Sequence, residues 1–376
     1  MRNETRLLFN DYVSNIAELN GVPNASVKFA VDPAIEQKLE ERMKESSEFL
    51  QQINLVPVTQ QKGQTLGLEA TRTIAGRVNT AAGNRRDPTD PTGNSEINTY
   101  DCTQTNFDWA RSYAAIDAWR HRPDFETKLR DAILSQQGRD RIMIGWNGTS
   151  IAVATDRVAN PLLQDVNEGW LFKIRDRAPE QVLDDGSLTV KTDGTNNAAL
   201  KAIYVKAGVE LFDANAAYNA TGGSASADAD YSSLDALVID SKRLLPDWHA
   251  GDTDLVVIVG RDLVDDKYFN IAQQTGATAT EVEATDRILR SQKLIGGLPP
   301  VMVPFFPADA ILITRLDNLS IYWQEETRRR MLKDEPEYDR IANYESVNED
   351  YVVEDYELVV LVENIVIGGA PARPAP

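Results

Sequence analysis

The sequence predicts an α+β fold, and three observations carry that expectation. Amphipathic helical stripes occupy the N-terminal segment and a stretch near residue 130. A long polar stretch, Thr59–Asn106, favours extended chain on both flanks of a turn-rich middle. From about residue 232 onward, helical and strand patterns alternate and then end in long strands.

Taken in order, residues 3–20 read as a helix. Asn3 can cap it, and Leu8, Phe9, Tyr12, Val13, Ile16 and Leu19 line one face. Gly21–Ser26 breaks the pattern and leaves an accessible linker. A second helix is expected from Pro33 to about Ile53, with Ile35, Leu39, Met43, Leu50 and Ile53 as a narrow stripe. Neither helix can bury much alone, so both are expected to dock on something.

Thr59–Asn106 follows. Leu66, Leu68, Thr71, Thr73, Ile74 and Val78 lead out, and Ile97, Thr99, Tyr100, Thr103 and Thr105 lead back. Between them, Gly83–Ser95 holds two Asp-Pro turn signals. Connections longer than about 12–15 residues are usually functional or disordered. This pattern describes a two-stranded arm, and such an arm is marginal in water unless another chain supports it. The aromatic segment FDWARSYAAIDAWRHR comes next, and then Pro123–Asn147, a helix of about 35 Å at 1.5 Å per residue.

Residues 182–231 are rich in Gly, Asn, Ala and Asp, and TGGSASADAD at 221–230 reads as a linker. Leu234–Leu245 and Arg261–Gln274 are helix candidates, and Leu255–Val259 has the apolar run of a buried strand. Val301–Val303, Ala310–Thr314, Ser320–Trp323 and Tyr351–Ile367 read as strands. The tail GGAPARPAP is too Pro-rich to pack.

Composition narrows the function classes. The chain has 376 residues, 42% hydrophobic, and a net charge of −19 from 58 acidic and 39 basic residues. That balance opposes general attraction to nucleic acid, which rests on Lys and Arg neutralising phosphates. No window is apolar enough to span a membrane, and MRNETRLLFNDYVSN lacks a signal-peptide core, so a cytoplasmic origin is expected. The one cysteine, Cys102, excludes an internal disulfide framework.

A search for catalytic chemistry finds little. His121 and His249 are the two histidines, and no nucleophile motif accompanies either. His249, Asp252 and Asp254 have a spacing that could hold a metal, but short spacings of this kind are common in loops. VVIVGRDLVDD lacks the further glycines of a phosphate-cradling turn. The acidic pairs Asp265–Asp266, Glu325–Glu326, Glu349–Asp350 and Glu354–Asp355 make poor dyads, because neighbours on a strand point to opposite faces. They are expected to be solvated or salt-bridged. Arg328, Arg329 and Arg330 form the densest basic run, which either meets acidic groups of a neighbouring chain or is solvated. Lys62 stands alone between Lys44 and Lys128, so no lysine at the arm's tip can form a covalent link. Neither a cofactor nor a metal is expected.

A resemblance appears in long unusual segments. They are MRNETR at 1–6, IAELNG at 16–21, ESSEFL at 45–50 and NPLLQDVNEGWL at 160–171. Further on come SLDALVID at 233–240, DLVVIVGRDLVDDKYF at 254–269 and SQKLIGGLPPVMVPFFPADAILIT at 291–314. LDNLSIYW at 316–323 and NYESVNEDYVVEDYE at 343–357 complete the set. On these the chain resembles the major capsid proteins of Peduovirus-type (coliphage P-two-like) tailed phages, and through them the Hong Kong 97-type capsid fold. The match is weakest over 178–231, which looks like a variable insertion.

The resemblance implies a layout. Residues 1–29 would be a segment removed by a prohead protease, with cleavage between Phe29 and Ala30 in VKF-AVDP. Residues 30–58 would be the N-arm and 59–106 the E-loop. Residues 107–231 would form the P domain with its spine helix at 123–147, and 232–319 the A domain. Residues 320–368 would return to the P domain, and 369–376 would be a disordered tail.

It also implies an icosahedral virion shell of homo-pentamers and homo-hexamers, built in the host cytoplasm with a scaffold and a portal protein at one vertex. That shell would expand in maturation and enclose double-stranded DNA without sequence-specific binding. Arg77, Arg85, Arg86, Asp87 and Asp90 would then carry contacts of the E-loop with a neighbouring subunit. Two alternatives differ in class. An encapsulin-like nanocompartment would share the fold but hold protein cargo, and an enzyme built on 232–314 would need a pocket with convergent polar groups.

Overall fold

The computed structural model describes residues 3–65, 75–77, 85–86, 88, 99–119, 125–186, 201–205, 230–263 and 294–367. Its helices are α1 (Asn3–Leu19), α2 (Pro33–Glu45), α3 (Glu48–Gln52), α4 (Tyr113–Trp119), α5 (Phe125–Asn147), α6 (Trp170–Arg177), α7 (Leu234–Ser241) and α8 (Asp247–Ala250). The strands through the first half are β1 (Phe29–Ala30), β2 (Asn54–Val58), β3 (Lys62–Gln64), β4 (Thr99–Asp101), β5 (Thr103–Asn106), β6 (Trp109–Ser112), β7 (Val182–Leu183) and β8 (Ile203–Val205). The later strands are β9 (Val256–Val259), β10 (Pro300–Val301), β11 (Ile311–Thr314), β12 (Leu319–Gln324), β13 (Arg329–Glu335), β14 (Arg340–Val353), β15 (Val359–Val362) and β16 (Ile365–Ile367).

Contacts divide the chain into two units, 1–41 with 55–130 and 320–355, and 42–54 with 131–319 and 356–376. In the first, β14 organises a seven-stranded sheet in the order β1-β13-β14-β12-β2, with β5 and β6 also on β14. All pairings of known register there are antiparallel: Arg340–Ser346 face β13, Arg340–Asn343 face β6 and Ser346–Glu349 face β5. In the second unit, a five-stranded sheet runs β10-β9-β11-β15-β7. Its central strands β11 and β15 are buried at every position, so they read as unbroken apolar runs rather than alternations. Around them Ile203, Leu234, Leu237, Val238, Leu255, Val257 and Leu298 complete one core.

Several elements differ from expectation, each for a local reason. The helix expected over Pro33–Ile53 is broken at Ser46–Ser47 into α2 and α3. The Ser46 hydroxyl donates to the Met43 carbonyl (2.6 Å), an alternative to helix propagation that Ser offers. Leu19, assigned to the buried stripe of α1, is 70% exposed, while Ile16 and Ala17 are buried. Tyr351–Ile367, expected as one long strand, is the end of β14 plus β15 and β16, which lie in different sheets. Glu354, just after β14, accepts from the Ser320 and Tyr322 hydroxyls, and the chain leaves the sheet there. The return expected over 320–368 is therefore divided at 355 between the two units.

α5 matches the long helix expected from Pro123. Its C-terminal half packs an aromatic cluster in the second unit. The Trp146 ring lies 4.9 Å from Trp170, 5.0 Å from Phe306 and 5.5 Å from Phe49, in tilted or edge-on geometry. Gly145 makes this possible, because a Cβ there would come within 2.3 Å of the Trp170 ring.

Candidate functional site

The expected cleavage point, arm and basic run fall in three places in the first unit. The first is the N-terminal segment. Gly21 takes a left-handed backbone (φ +61°). Its N–H donates to Glu18 O and the Val22 N–H to Ala17 O, the pair of bonds that closes a helix C-terminus in a Schellman motif. The expected linker is thus a cap that turns the chain back, and Ala25 beyond it is fully buried. Phe29 and Ala30 form β1, paired antiparallel with Arg330 and Arg329 of β13. The Val31 N–H donates to Arg328 O (2.9 Å) and the Leu332 N–H to Ala25 O (3.0 Å). Phe29 is buried with Ile16, Ala17, Ala25, Val31 and Leu332, and Phe9, Tyr12 and Val13 of α1 cover the same cluster. α1 is further tied down by Thr5 to Asp117 (2.6 Å) and Arg6 to Asp334 (2.8 Å). The docking partner expected for this helix is its own sheet.

The second place is the root of the polar stretch. Lys62–Gln64 pair antiparallel with Thr99–Asp101, and Lys62 meets Asp101 at 2.7 Å. This ladder is anchored inward. The Asp101 N–H donates to the Asp350 carboxylate (3.0 Å) and the Cys102 N–H to Gln61 O (2.8 Å). Cys102 is buried among Tyr100, Tyr322 and Val352, with the Tyr100 and Tyr322 rings 5.1 Å apart. Burial, followed by the nearby Glu354 carboxyl, pushes the Tyr322 hydroxyl far above its ordinary pKa, so it stays a donor. Arg77, Arg85 and Arg86 are exposed and belong to no helix or strand. Asp87 and Asp90 lie outside the described residues, as do the expected strands of the arm beyond its root and most of its tip.

The third place is the basic run, which the structure splits. Arg329 is exposed. Arg330 donates to Asn343 Oδ1 (2.8 Å) and to the Tyr12 hydroxyl (3.3 Å). Arg328 is fully buried, neither solvated nor open to a neighbour. Its guanidinium lies 3.1 Å from Glu40 and 3.3 Å from Glu345, at ion-pair distance but without the alignment of hydrogen bonds. A second acid of α2 joins the cluster. Glu36 is fully buried, accepts the Glu326 N–H (3.2 Å) through one oxygen, and leaves the other without a partner. Burial raises its pKa to about 7 against the opposing pull of Arg328. Sequence reasoning missed this cluster. The available signal was a pair of glutamates, Glu36 and Glu40, four residues apart beside the apolar stripe of α2.

The remaining candidates resolve as structural. Glu349 and Asp350 are buried, not solvated; Glu349 accepts from the Tyr351 hydroxyl (3.2 Å) and Asp350 from two backbone N–H groups. Asp252 receives Arg315 at 3.4 Å and the Asp254 N–H at 3.0 Å. No group of three or more His, Cys, Asp or Glu among the described residues could hold a metal ion. No described helix is long and apolar enough to cross a membrane. His121 and Asp265–Asp266 lie outside the described residues.

Comparison with known proteins follows the same line. A family model described as phage major capsid protein, P2 family, matches residues 8–365. The chain is 44% identical over 378 aligned residues to the capsid proteins of Escherichia phage P2, covering 99% of this chain and 98% of that one. It is 40% identical to the major capsid protein of Serratia phage KSP20, covering 97% of each. Among solved structures, a chain of the satellite phage P4 procapsid that includes the size determination (Sid) protein superimposes with a TM-score of 0.75. That pair is 42% identical, with 98% of this chain and 99% of the other covered.

Proposed function

The chain belongs to the P2 family of phage major capsid proteins, and from that premise we propose that it builds an icosahedral shell of pentamers and hexamers around double-stranded DNA. The observation that carries this reading is the family match over nearly the whole chain. The encapsulin-like alternative is less supported than this reading. The role is architectural, with no catalysis of its own.

In this reading 59–106 is the E-loop, whose root is fixed in its own sheet by β3, β4 and the Tyr100–Cys102 cluster. Its exposed Arg77, Arg85 and Arg86 meet acidic groups of an adjacent subunit, and Arg329 is a further exposed candidate. Residues 30–58 act as the N-arm, α5 as the spine helix of the P domain and 232–319 as the A domain. Such contacts are heterologous and close into rings. The net charge of −19 leaves enclosed DNA free to slide.

A scaffold and a prohead protease assist assembly in the host cytoplasm, and a portal protein occupies one vertex. The protease cuts between Phe29 and Ala30. Gradient sedimentation of the chain co-expressed with its scaffold tests the assembly. Fast-sedimenting particles support it, whereas slow material under every condition contradicts it. Intact mass of the protein from mature virions tests the cleavage; retention of residues 1–29 excludes it.

A further inference from the structure

The α2 acid cluster buries more carboxyl groups than packing alone requires. Three carboxyl groups, Glu36, Glu40 and Glu345, converge on one guanidinium, Arg328, and all four residues are buried. One guanidinium can compensate at most part of that charge. Glu36 is the least compensated of the three. Arg328 takes Glu40 and Glu345 at ion-pair distance, whereas Glu36 holds one backbone N–H and has one oxygen with no partner. A buried carboxylate left in that state is penalised by lost solvation, but a buried carboxylic acid does not carry that penalty.

The groups facing Glu36 are these. From its own helix comes Glu40, whose charge opposes ionisation. From the β12–β13 turn come the Arg328 guanidinium, the Glu326 N–H that Glu36 accepts and, more weakly and without a hydrogen bond, the nearby Arg328 N–H, all of which favour it. From β14 comes Glu345, which competes for Arg328. The turn itself is strained: Glu326, which supplies the N–H, is a non-glycine residue at φ +63°.

We propose that Glu36 is a protonation-dependent latch: with its proton it holds α2 against the β12–β13 turn, and on losing that proton to water it drives the helix off the turn. The folded-state pKa of about 7 lies above the ordinary value of 4.5, so the docked form binds the extra proton between those limits. Docking is therefore strongest below about pH 4.5 and weakens as pH rises through 7.

Hydrogen exchange of the α2 amides in the full chain, corrected for the intrinsic pH dependence of exchange, tests this. In the wild type, protection is expected to fall by roughly thirtyfold between about pH 5.5 and pH 8.5, the linkage of one such proton. Glu36→Gln is expected to hold its protection across the same range. A pH response equal in both proteins, or none in the wild type, overturns the latch. If Glu36→Gln does not fold, infrared absorption of wild-type protein carrying labelled glutamate settles the matter. A protonated glutamic acid present at about pH 6 and lost by about pH 8.5 supports the latch, and full ionisation at about pH 6 overturns it.

Discussion

Arg328 is the residue on which the first sheet's interior charge depends. Replacing it with Met removes the buried cation that Glu40 and Glu345 hold at ion-pair distance, with Glu36 beside it. The expected loss is about 3–5 kcal/mol, read as a lower urea midpoint with the slope unchanged. The buried acid makes a second prediction. Because Glu36 is raised toward about 7, the stability it contributes is present at low pH and disappears as pH climbs from 4.5 through 7. The stability difference between wild type and Glu36→Gln, followed by urea unfolding across that window, should grow with pH and then level off. A third concerns strain. Glu326 sits at φ +63° and its side chain is exposed, so Glu326→Gly keeps the N–H to Glu36 and relieves the backbone. A gain of about 1 kcal/mol is expected; an unchanged or lowered midpoint argues against strain at this turn.

At the scale of elements, α5 and α1 show how far pattern reading goes. The long helix before Gly148 follows from 3.6-residue periodicity and a Pro at its start, because both signals are local. What α5 meets is not local. Gly145 looks like a weakness in the helix until Trp170 is found against it. Gly145→Ala should therefore destabilise despite the better helix propensity of Ala, by about 1–3 kcal/mol from overpacking. Thermal unfolding of the variant is the check.

Likewise, Gly21 reads as a break, but only the paired bonds to Glu18 and Ala17 identify it as a cap that folds residues 25–31 back onto β13. The sequence carries strand propensity for Tyr351–Ile367 but not the crossing between sheets, because that depends on Glu354 finding Ser320 and Tyr322 across 34 and 32 residues. The basic run was visible as charge alone. Its division into exposed Arg329, half-buried Arg330 and buried Arg328 depends on α2 arriving with two glutamates, a tertiary event that no local pattern encodes.

At the scale of the whole molecule, the family was legible because long segments are similar to relatives over nearly the full chain, whereas the assembly contacts were not. Residues that act on another copy leave no partner in their own chain, so composition and periodicity cannot locate them. The proposed E-loop contacts illustrate this: Arg85 and Arg86 are exposed, and the acidic groups proposed to meet them would belong to another copy. Reversing both charges to Glu should leave the subunit's unfolding midpoint unchanged within about 0.5 kcal/mol while lowering the yield of mature shells. An equal loss of subunit stability would place these arginines in the fold instead.

As proposed, this chain is a shell subunit whose polar arm lies on another copy of itself. A cryo-electron microscopy reconstruction of particles from the chain and its scaffold tests it most directly. The expected result is a closed icosahedral shell of pentamers and hexamers, with residues 59–106 extended from their β3–β4 root across an adjacent subunit. Small open oligomers, or a shell in which that arm folds back on its own subunit, would contradict it.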